Sequence, residues 1–155
     1  MLKYKYSVRA ATKEDAISLA PRLRQADVDE IKAASDRDPL EAMLISIRQS
    51  RAPKAGLVDG EVVFIFGVAS SSLMSVHGSP WLLASDLLVD HAKPFLRGSK
   101  DYLNAMKKNF IYLSNFVDAR NTDSIRWLQW LGFDILPTQA YGPYGLMFHP
   151  FEMKR

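Results

Sequence analysis

The stretch that most constrains the fold is EVVFIFGVA, residues 61–69, which carries no polar side chain from Val62 to Val68. β-branched and aromatic residues dominate it, and a short run of this kind is typical of a strand. A strand that is apolar on both faces must be covered on both sides. Asp59-Gly60 precedes it and is the strongest two-residue hairpin signal. The sequence therefore predicts a central strand, paired through a hairpin, inside a layered structure.

The rest of the chain alternates between strand and helix patterns. That order predicts an α/β fold with a mixed central sheet and helices on both faces. At 155 residues, the chain is expected to form a single domain over residues 1–155. Strands are predicted at residues 4–11, 55–58, 62–68, 81–89, 111–117, 133–137 and 144–153, and helices at 13–23, 27–34, 39–49, 94–108 and 121–131.

Local signals mark the ends of several helices. Thr12 stands three residues before Asp15, the spacing of a capping box that begins a helix. Pro21 is expected to break or kink that helix. Asp38 followed by Pro39 predicts another helix start, since proline suits the first turn.

Composition excludes several classes of function. Cysteine is absent, so neither disulfides nor thiolate chemistry is available. No apolar run is long enough to span a membrane, and the N-terminus has no signal-peptide core, so we expect a protein that is not secreted. The net charge is +3 and the basic residues are scattered along the chain, so no nucleic-acid-binding face is expected. The three histidines share no ligand spacing, so no metal site is expected.

The most informative segment is NTDSIRWLQWLGF, residues 121–133. Asn121 suits a helix N-cap, with its side chain accepting from the backbone N–H of residue 123 or 124. Gly132 suits a left-handed C-cap, and Phe133 would begin a strand. The apolar residues predict a largely buried helix; they are Ile125, Trp127, Leu128, Trp130 and Leu131. On residue types alone, this unit could be only a well-capped helix between two strands.

The spacing favours a more specific interpretation. Asn121, Ser124, Trp127, Gly132 and Phe133 together resemble the second cofactor-proximal motif of the GNAT N-acetyltransferase superfamily. The resemblance implies that strands 81–89 and 111–117 run parallel and splay apart at their C-terminal ends. In that family acyl-CoA lies in the resulting wedge.

The main phosphate-binding motif of that family resembles Arg/Gln-x-x-Gly-x-Gly/Ala, and its glycines let backbone N–H groups approach a pyrophosphate. Here the nearest match is Arg97-Gly98, with Lys100 and Tyr102 where further glycines would stand. Their side chains are expected to crowd the pyrophosphate. The cofactor-binding candidates that the resemblance implies are Arg97, Gly98, Asn121 and Ser124. Arg97, Lys93 and Lys100 could equally form a solvated surface.

The catalytic candidates are sparse. Leu128 stands where family members often carry a tyrosine that protonates the leaving thiolate. Tyr141 or Tyr144 could take that role from elsewhere in the chain. Asp86, alone in an apolar stretch, is the candidate general base, because burial would raise the pKa of its carboxyl. The alternative is that Asp86 lies at a strand end and faces water.

The unit N-x-x-S…LGF, the missing glycine loop and the ending GPYGLMFHPFEM are together similar to a small family of GNAT-like proteins from tailed bacteriophages, linked to virion assembly. That resemblance implies a catalytically degenerate accessory protein in the host-cell cytoplasm or the virion. It would bind phage or host proteins and need no cofactor, and, like some members of that family, it could itself be an internal virion protein.

The alternative is an acyl-CoA-dependent N-acetyltransferase with a divergent phosphate loop and acetyl-CoA as its cofactor. A cramped helix start at residues 94–102 would favour the accessory protein. An open ring of N–H groups there would favour the enzyme.

Overall fold

The computed structural model describes residues 3–154, which form one mixed sheet with helices on both faces. Its eight strands follow the spatial order β1-β2-β3-β4-β5-β8-β6, and β7 also pairs with β8. The strands are β1 Tyr6–Ala10, β2 Ser50–Val58, β3 Glu61–Ala69, β4 His77–Ala84, β5 Tyr112–Asp118, β6 Asp134–Ile135, β7 Gln139–Tyr141 and β8 Leu146–Lys154.

Six α-helices connect these strands, and a 3₁₀ turn, Ala20–Arg22, contains Pro21 as the sequence predicts. No helix within residues 3–154 is long and apolar enough to cross a membrane. The helices are α1 Lys13–Leu19, α2 Gln25–Ser35, α3 Pro39–Gln49, α4 Leu87–Asp90, α5 Ala92–Asn109 and α6 Thr122–Leu131.

The predicted central strand is confirmed. Every residue of β3 from Val62 to Val68 is buried, with α1, α2 and α3 on one face of the sheet and α5 on the other. Asp59 and Gly60 both have positive φ, 50° and 81°, as a two-residue hairpin requires. The hairpin sets the first β2–β3 pairs, Val58 with Glu61 and Leu57 with Val62, and the register then shifts after Leu57. Both faces of β3 meet apolar side chains.

Two predicted helix starts are also confirmed. Thr12 and Asp15 form the reciprocal capping box, in which each side chain accepts from the other residue's backbone N–H. Asp38 accepts from the N–H groups of Leu40 and Glu41 at the start of α3. These bonds satisfy donors that have no partner within the helix.

The predicted divergence of two parallel strands is present at the centre of the sheet. β4 and β5 pair only through His77 with Tyr112 and Gly78 with Leu113, although both strands continue well beyond these pairs. We call the gap between residues 80–84 of β4 and residues 114–118 of β5 the wedge. It divides the sheet into a β1–β4 half and a β5–β8 half.

Two predictions about individual elements are wrong. The strand predicted at residues 81–89 ends at Ala84, and α4 occupies the remainder. Its last bond to β3 joins Ser85 N–H to the Val63 carbonyl. The chain then turns, because Leu88 N–H donates to the Ser85 carbonyl and Val89 N–H to the Asp86 carbonyl, and these local bonds replace further pairing with β3. The helix α6 is not largely buried either, because Leu128 is 7% exposed but Trp130 is 49% exposed.

Gly132→Ala is expected to reduce the free energy of unfolding by roughly 1 kcal/mol or more. Gly132 ends α6 with a φ of 102°, where a Cβ is disfavoured even though its nearest contact, Met153 Cε, would be an ordinary 3.5 Å away. Denaturant unfolding measures the change.

Gly98→Ala is the matched control. Gly98 lies inside α5, and its added Cβ would meet only Tyr102, at 3.8 Å. Alanine is the better helix former, so this variant should gain about 0.5–1 kcal/mol. Equal effects at the two positions would contradict the left-handed assignment of Gly132.

Candidate functional site in the wedge

The start of α2 lies against the end of β4 at the mouth of the wedge. Arg24 N–H donates to the Ala84 carbonyl at 2.8 Å, and Ala84 N–H donates to Asp27 Oδ2 at 2.9 Å. Leu23 also forms an isolated bridge with Ser85. The segment therefore satisfies backbone groups of β4 that β5 leaves unpaired when the two strands diverge.

Arg24 and Asp27 form a buried ion pair that connects this segment with α6. Arg24 Nη2 lies 3.0 Å from Asp27 Oδ1, and the two residues are only 9% and 1% exposed. The same nitrogen donates to Asn121 Oδ1 at 3.2 Å and to Ser124 Oγ at 3.4 Å. Arg24 thus links three elements: its backbone N–H bonds β4, and its guanidinium joins Asp27 of α2 to the start of α6.

The predicted capping role of the Asn121 side chain is wrong. Asn121 precedes α6, but its side chain makes no bond to the N–H groups of that helix. Its amide oxygen accepts from Arg24, and its amide nitrogen donates to Glu30 Oε1 at 3.4 Å. The buried charges on α2 offer stronger, charge-assisted partners than a backbone N–H does.

Glu30, on α2, is the ionisable group at the C-terminal end of β5. Its Oε1 accepts from Asp118 N–H at 2.7 Å. Burial raises the pKa of Glu30 from 4.5 to about 7, and the nearby carboxylates Asp27 and Asp118 add to the rise. Hydrogen bonds from Asp118 N–H and Asn121 oppose the rise only in part. Glu30 can therefore exchange a proton near neutral pH.

Asp118 is the contrasting carboxylate beside Glu30. Burial by itself would raise the pKa of Asp118, but hydrogen bonds from Arg120 outweigh it and the pKa is lowered. Arg120 Nη2 lies 2.7 Å from Asp118 Oδ2. Two neighbouring carboxyl groups whose environments push their pKa values apart are suited to different roles. Asp118 stays charged, and Glu30 is the group that takes up the proton.

Few backbone groups of β4 remain available in the wedge. The register with β3 directs the backbone polar groups of alternate residues toward β5: the N–H and C=O of Leu82 and Ala84, and the C=O of Pro80, which has no N–H. The Pro80 carbonyl accepts from Asn115 Nδ2 at 3.0 Å, and both groups of Ala84 are bonded to α2. Leu82 therefore presents the backbone donor and acceptor that a bound molecule could use.

The predicted phosphate-binding segment has neither of the two expected forms. Residues 94–102 lie within α5, which begins at Ala92, so their N–H groups are largely used inside the helix. Arg97 is exposed on this helix and Gly98 is an ordinary helical residue. Lys100 Nζ lies 4.6 Å from the Trp130 ring centroid, and the Tyr102 ring packs on Phe66. No ring of N–H groups forms there, and these side chains are engaged with neighbours.

Asp86 lies outside the wedge network. It is exposed between β4 and α4, which removes the burial that made it a candidate base. Leu128 is buried in the core formed with β5 and β8. The Tyr141 ring stacks on Phe116, in the wedge segment of β5, with centroids 4.0 Å apart. Tyr144 instead bonds Asp36, which raises the pKa of the phenol.

Within residues 3–154, no group of three or more histidine, aspartate or glutamate side chains could hold a metal ion. His77 bonds Ser114, His91 lies beside Tyr6, and His149 contacts the Leu136 carbonyl. The three histidines therefore lie apart from one another, each bonded to a different partner.

The fold resembles solved acetyltransferases over almost the whole chain. No protein-family model and no curated protein sequence matches it. A GNAT-family acetyltransferase from Streptococcus pneumoniae has a TM-score of 0.67 at 11% identity, covering 97% of this chain and 100% of that one. The ribosomal-protein-alanine N-acetyltransferase from Brucella melitensis has a TM-score of 0.71 at 15% identity, covering 96% and 99%.

A third similar structure contains a cofactor. It is yncA from Salmonella typhimurium, solved with acetyl-CoA, with a TM-score of 0.65 at 14% identity, covering 96% of this chain and 93% of that one. Together with the splayed strands, these similarities show that the chain has the GNAT fold.

Arg24, Asp27 and Glu30 are functional-site residues that no motif in the sequence predicts. Arg24, the N-cap of α2, is followed at intervals of three by Asp27 and Glu30, so the three residues lie near one face of that helix. The sequence contains one signal for these residues: a row of charges lies on the same side of the helix as Ile31, which is buried. It indicates a buried polar network only when two opposite charges can pair, as Arg24 and Asp27 do.

Proposed function

We propose that this protein is an acyl-CoA-dependent N-acyltransferase that works in the wedge between β4 and β5. The observation that carries the proposal is the early end of β4–β5 pairing, after Gly78 and Leu113, which leaves the two strand edges unpaired where they diverge. The yncA structure with acetyl-CoA supports acetyl-CoA as the cofactor class. The cofactor supplies an acyl group activated as a thioester.

The chain's own residues would bind the ligand and move the proton. The N–H and C=O of Leu82 suit an amide of the extended pantetheine arm, since they face the wedge and α2 does not occupy them. Glu30 is the proposed general base, because a carboxyl with a pKa of about 7 can take the proton of an attacking amine. Arg24 and Asn121 act as positioning residues, holding Glu30 and α2 against β5.

Asp86 is a weaker candidate base, because its carboxylate faces water. Ser124 and Asn121 remain in the proposal, but through their bonds to Arg24 rather than through contact with the cofactor. Arg97 would at most contribute to a basic surface on α5 near the phosphates, and Gly98, which has no side chain, would contribute no charge. The fit to the cofactor is therefore good for the pantetheine arm and poor for the pyrophosphate.

Calorimetric titration tests whether the pantetheine arm, rather than the nucleotide, provides most of the binding free energy. Acetyl-CoA should bind with a Kd in the micromolar range, about −8 kcal/mol. Acetyl-pantetheine, which lacks the nucleotide, should retain most of that free energy, and adenosine 3′,5′-bisphosphate alone should bind only in the millimolar range, about −4 kcal/mol. Millimolar binding of acetyl-CoA itself, with no acyl transfer to amines above background, would reject the proposed function.

That negative result would favour a second candidate, a non-enzymatic accessory protein that binds phage or host proteins during virion assembly. Two observations favour it: residues 94–102 are helical rather than an open loop, and Leu128 stands where a proton donor is expected. The bacteriophage likeness rests on the sequence pattern alone. A purified complex with a virion protein would be its positive test.

A further inference from the structure

A second cavity system lies away from the wedge, at the tip of the β2–β3 hairpin where α4 and α5 begin. Two cavities, of about 580 and 190 Å³, share Glu61, Leu87 and Asp90 in their linings. The larger lies within the range of about 300–1,000 Å³ that is usual for small-molecule sites. We call the two together the hairpin groove.

Carboxylates dominate the charge of the hairpin groove. Asp59, Glu61, Asp86 and Asp90 line it, against the single guanidinium of Arg22, which lies 3.2 Å from Glu61 Oε1. These groups do not converge, since no metal-holding set occurs within residues 3–154. Negative charge spread around a large cavity suits an extended organic cation better than a metal ion, which needs several oxygens at about 2.0–2.6 Å.

Aromatic rings form one wall. Tyr4 and Tyr6 both pack against His91, with centroid distances of 4.6 and 5.6 Å, and Tyr6 Oη lies 2.9 Å from His91 Nδ1. The chain's own ammonium group, Lys3 Nζ, lies 5.7 Å from the centroid of the Tyr4 ring. Aromatic faces attract cations at such distances. The Tyr4 ring can therefore hold an ammonium group at its face, and a bound ammonium would take the place of Lys3 Nζ there.

Ser85 supplies an independent observation in the smaller cavity. It is 3% exposed, and its Oγ has no hydrogen-bond partner among the described residues. A buried hydroxyl without a partner costs free energy, so each such group calls for an explanation. Ser85 is among the residues that line the smaller cavity, so its unpaired oxygen lies beside the space that a bound N–H group would occupy.

We propose that the hairpin groove binds a small organic cation with at least two ammonium groups. One ammonium would lie against the tyrosine wall beside Asp59 and Asp90, and another would reach Ser85 and Asp86 in the smaller cavity. The two cavities share Glu61 and Asp90, so an aliphatic chain can connect the ammonium groups. This binding is independent of acyl transfer and requires no group in the wedge.

Spermidine is the probe, and calorimetry at low salt is the measurement. We expect saturable binding that Asp90→Asn weakens at least tenfold. Tyr4→Leu, which changes no charge, should weaken it severalfold. Glu14→Gln is the matched control, because Glu14 is an exposed carboxylate that lines neither cavity, and its loss should leave the affinity within twofold.

Three results would overturn the proposal. They are no saturable binding by the wild-type protein, equal weakening by Glu14→Gln and Asp90→Asn, and an affinity that Tyr4→Leu leaves unchanged. The last two would indicate general attraction to an acidic protein surface. Circular dichroism of each variant identifies any loss of folding, and the charge-neutral Tyr4 variant keeps the test decisive if Asp90→Asn unfolds.

Discussion

Glu30→Gln is expected to lower the rate of acyl transfer by about 10²–10⁴-fold, the usual contribution of a general base. Glutamine keeps the shape of the side chain and can still accept from Asp118 N–H, but it cannot take a proton from the acceptor amine. The wild-type rate should rise with pH through about 7 as Glu30 loses its proton. The residual rate of the variant should lack that rise.

The same substitution should make the protein more stable above neutral pH. Below pH 4.5 Glu30 is protonated in both states, so its ionisation contributes nothing. As the pH rises from 4.5 to about 7, the unfolded chain releases the proton while the folded protein retains it, and stability is lost. At about 1.36 kcal/mol per pKa unit, the loss is roughly 3 kcal/mol. Glutamine does not ionise, so at pH 8 the free energy of unfolding of the variant should exceed that of wild type by most of this amount.

Denaturant unfolding at about pH 5 and pH 8 measures this difference, and Glu41→Gln on the exposed surface of α3 is the control. The control should show the same stability as wild type at both values. The stability measurement stands on its own even if no transfer is detected. If the stability of Glu30→Gln relative to wild type were the same at pH 5 and at pH 8, the Glu30 carboxyl would have an ordinary pKa and would not be a suitable base.

The sequence predicted the elements whose signals are local. The hairpin needed only Asp59-Gly60 and the apolar run after it, and the start of α1 needed only Thr12 and Asp15. Gly132 also took the conformation that its position predicted. In each case a few neighbouring residues contain the whole physical cause, so no knowledge of the rest of the fold is required.

The wedge network could not be predicted in the same way. Arg24 and Asn121 are far apart in sequence, and the side chain of Asn121 turned toward α2 rather than capping α6. That choice depends on a buried guanidinium from another element, which no local pattern reveals. The prediction of Asp86 as a buried strand residue was wrong for a related reason. The apolar residues around it were consistent with either a strand or a short helix.

Asp27→Asn is expected to reduce the free energy of unfolding by about 3–5 kcal/mol, the usual effect of removing one partner of a buried ion pair. Asp27 is 1% exposed and binds both the Arg24 guanidinium and the Ala84 N–H. Asparagine has nearly the same shape, but it leaves the positive charge of Arg24 buried without its main counterion. Chemical denaturation compares the variant with wild type.

Asp123→Asn is the matched control, because Asp123 contacts the same guanidinium at 3.8 Å with a side chain that is 60% exposed. Its loss should cost no more than about 1 kcal/mol, as for other exposed ion pairs.

The double variant Arg24→Met, Asp27→Leu should be more stable than Asp27→Asn, because it removes both buried charges together. If Asp27→Asn and Asp123→Asn lost equal stability, the contribution of the Arg24–Asp27 ion pair to stability would not depend on its burial. If the double variant were the least stable, the hydrogen bonds to Ala84 and Asn121 would contribute more than the ionic pairing does.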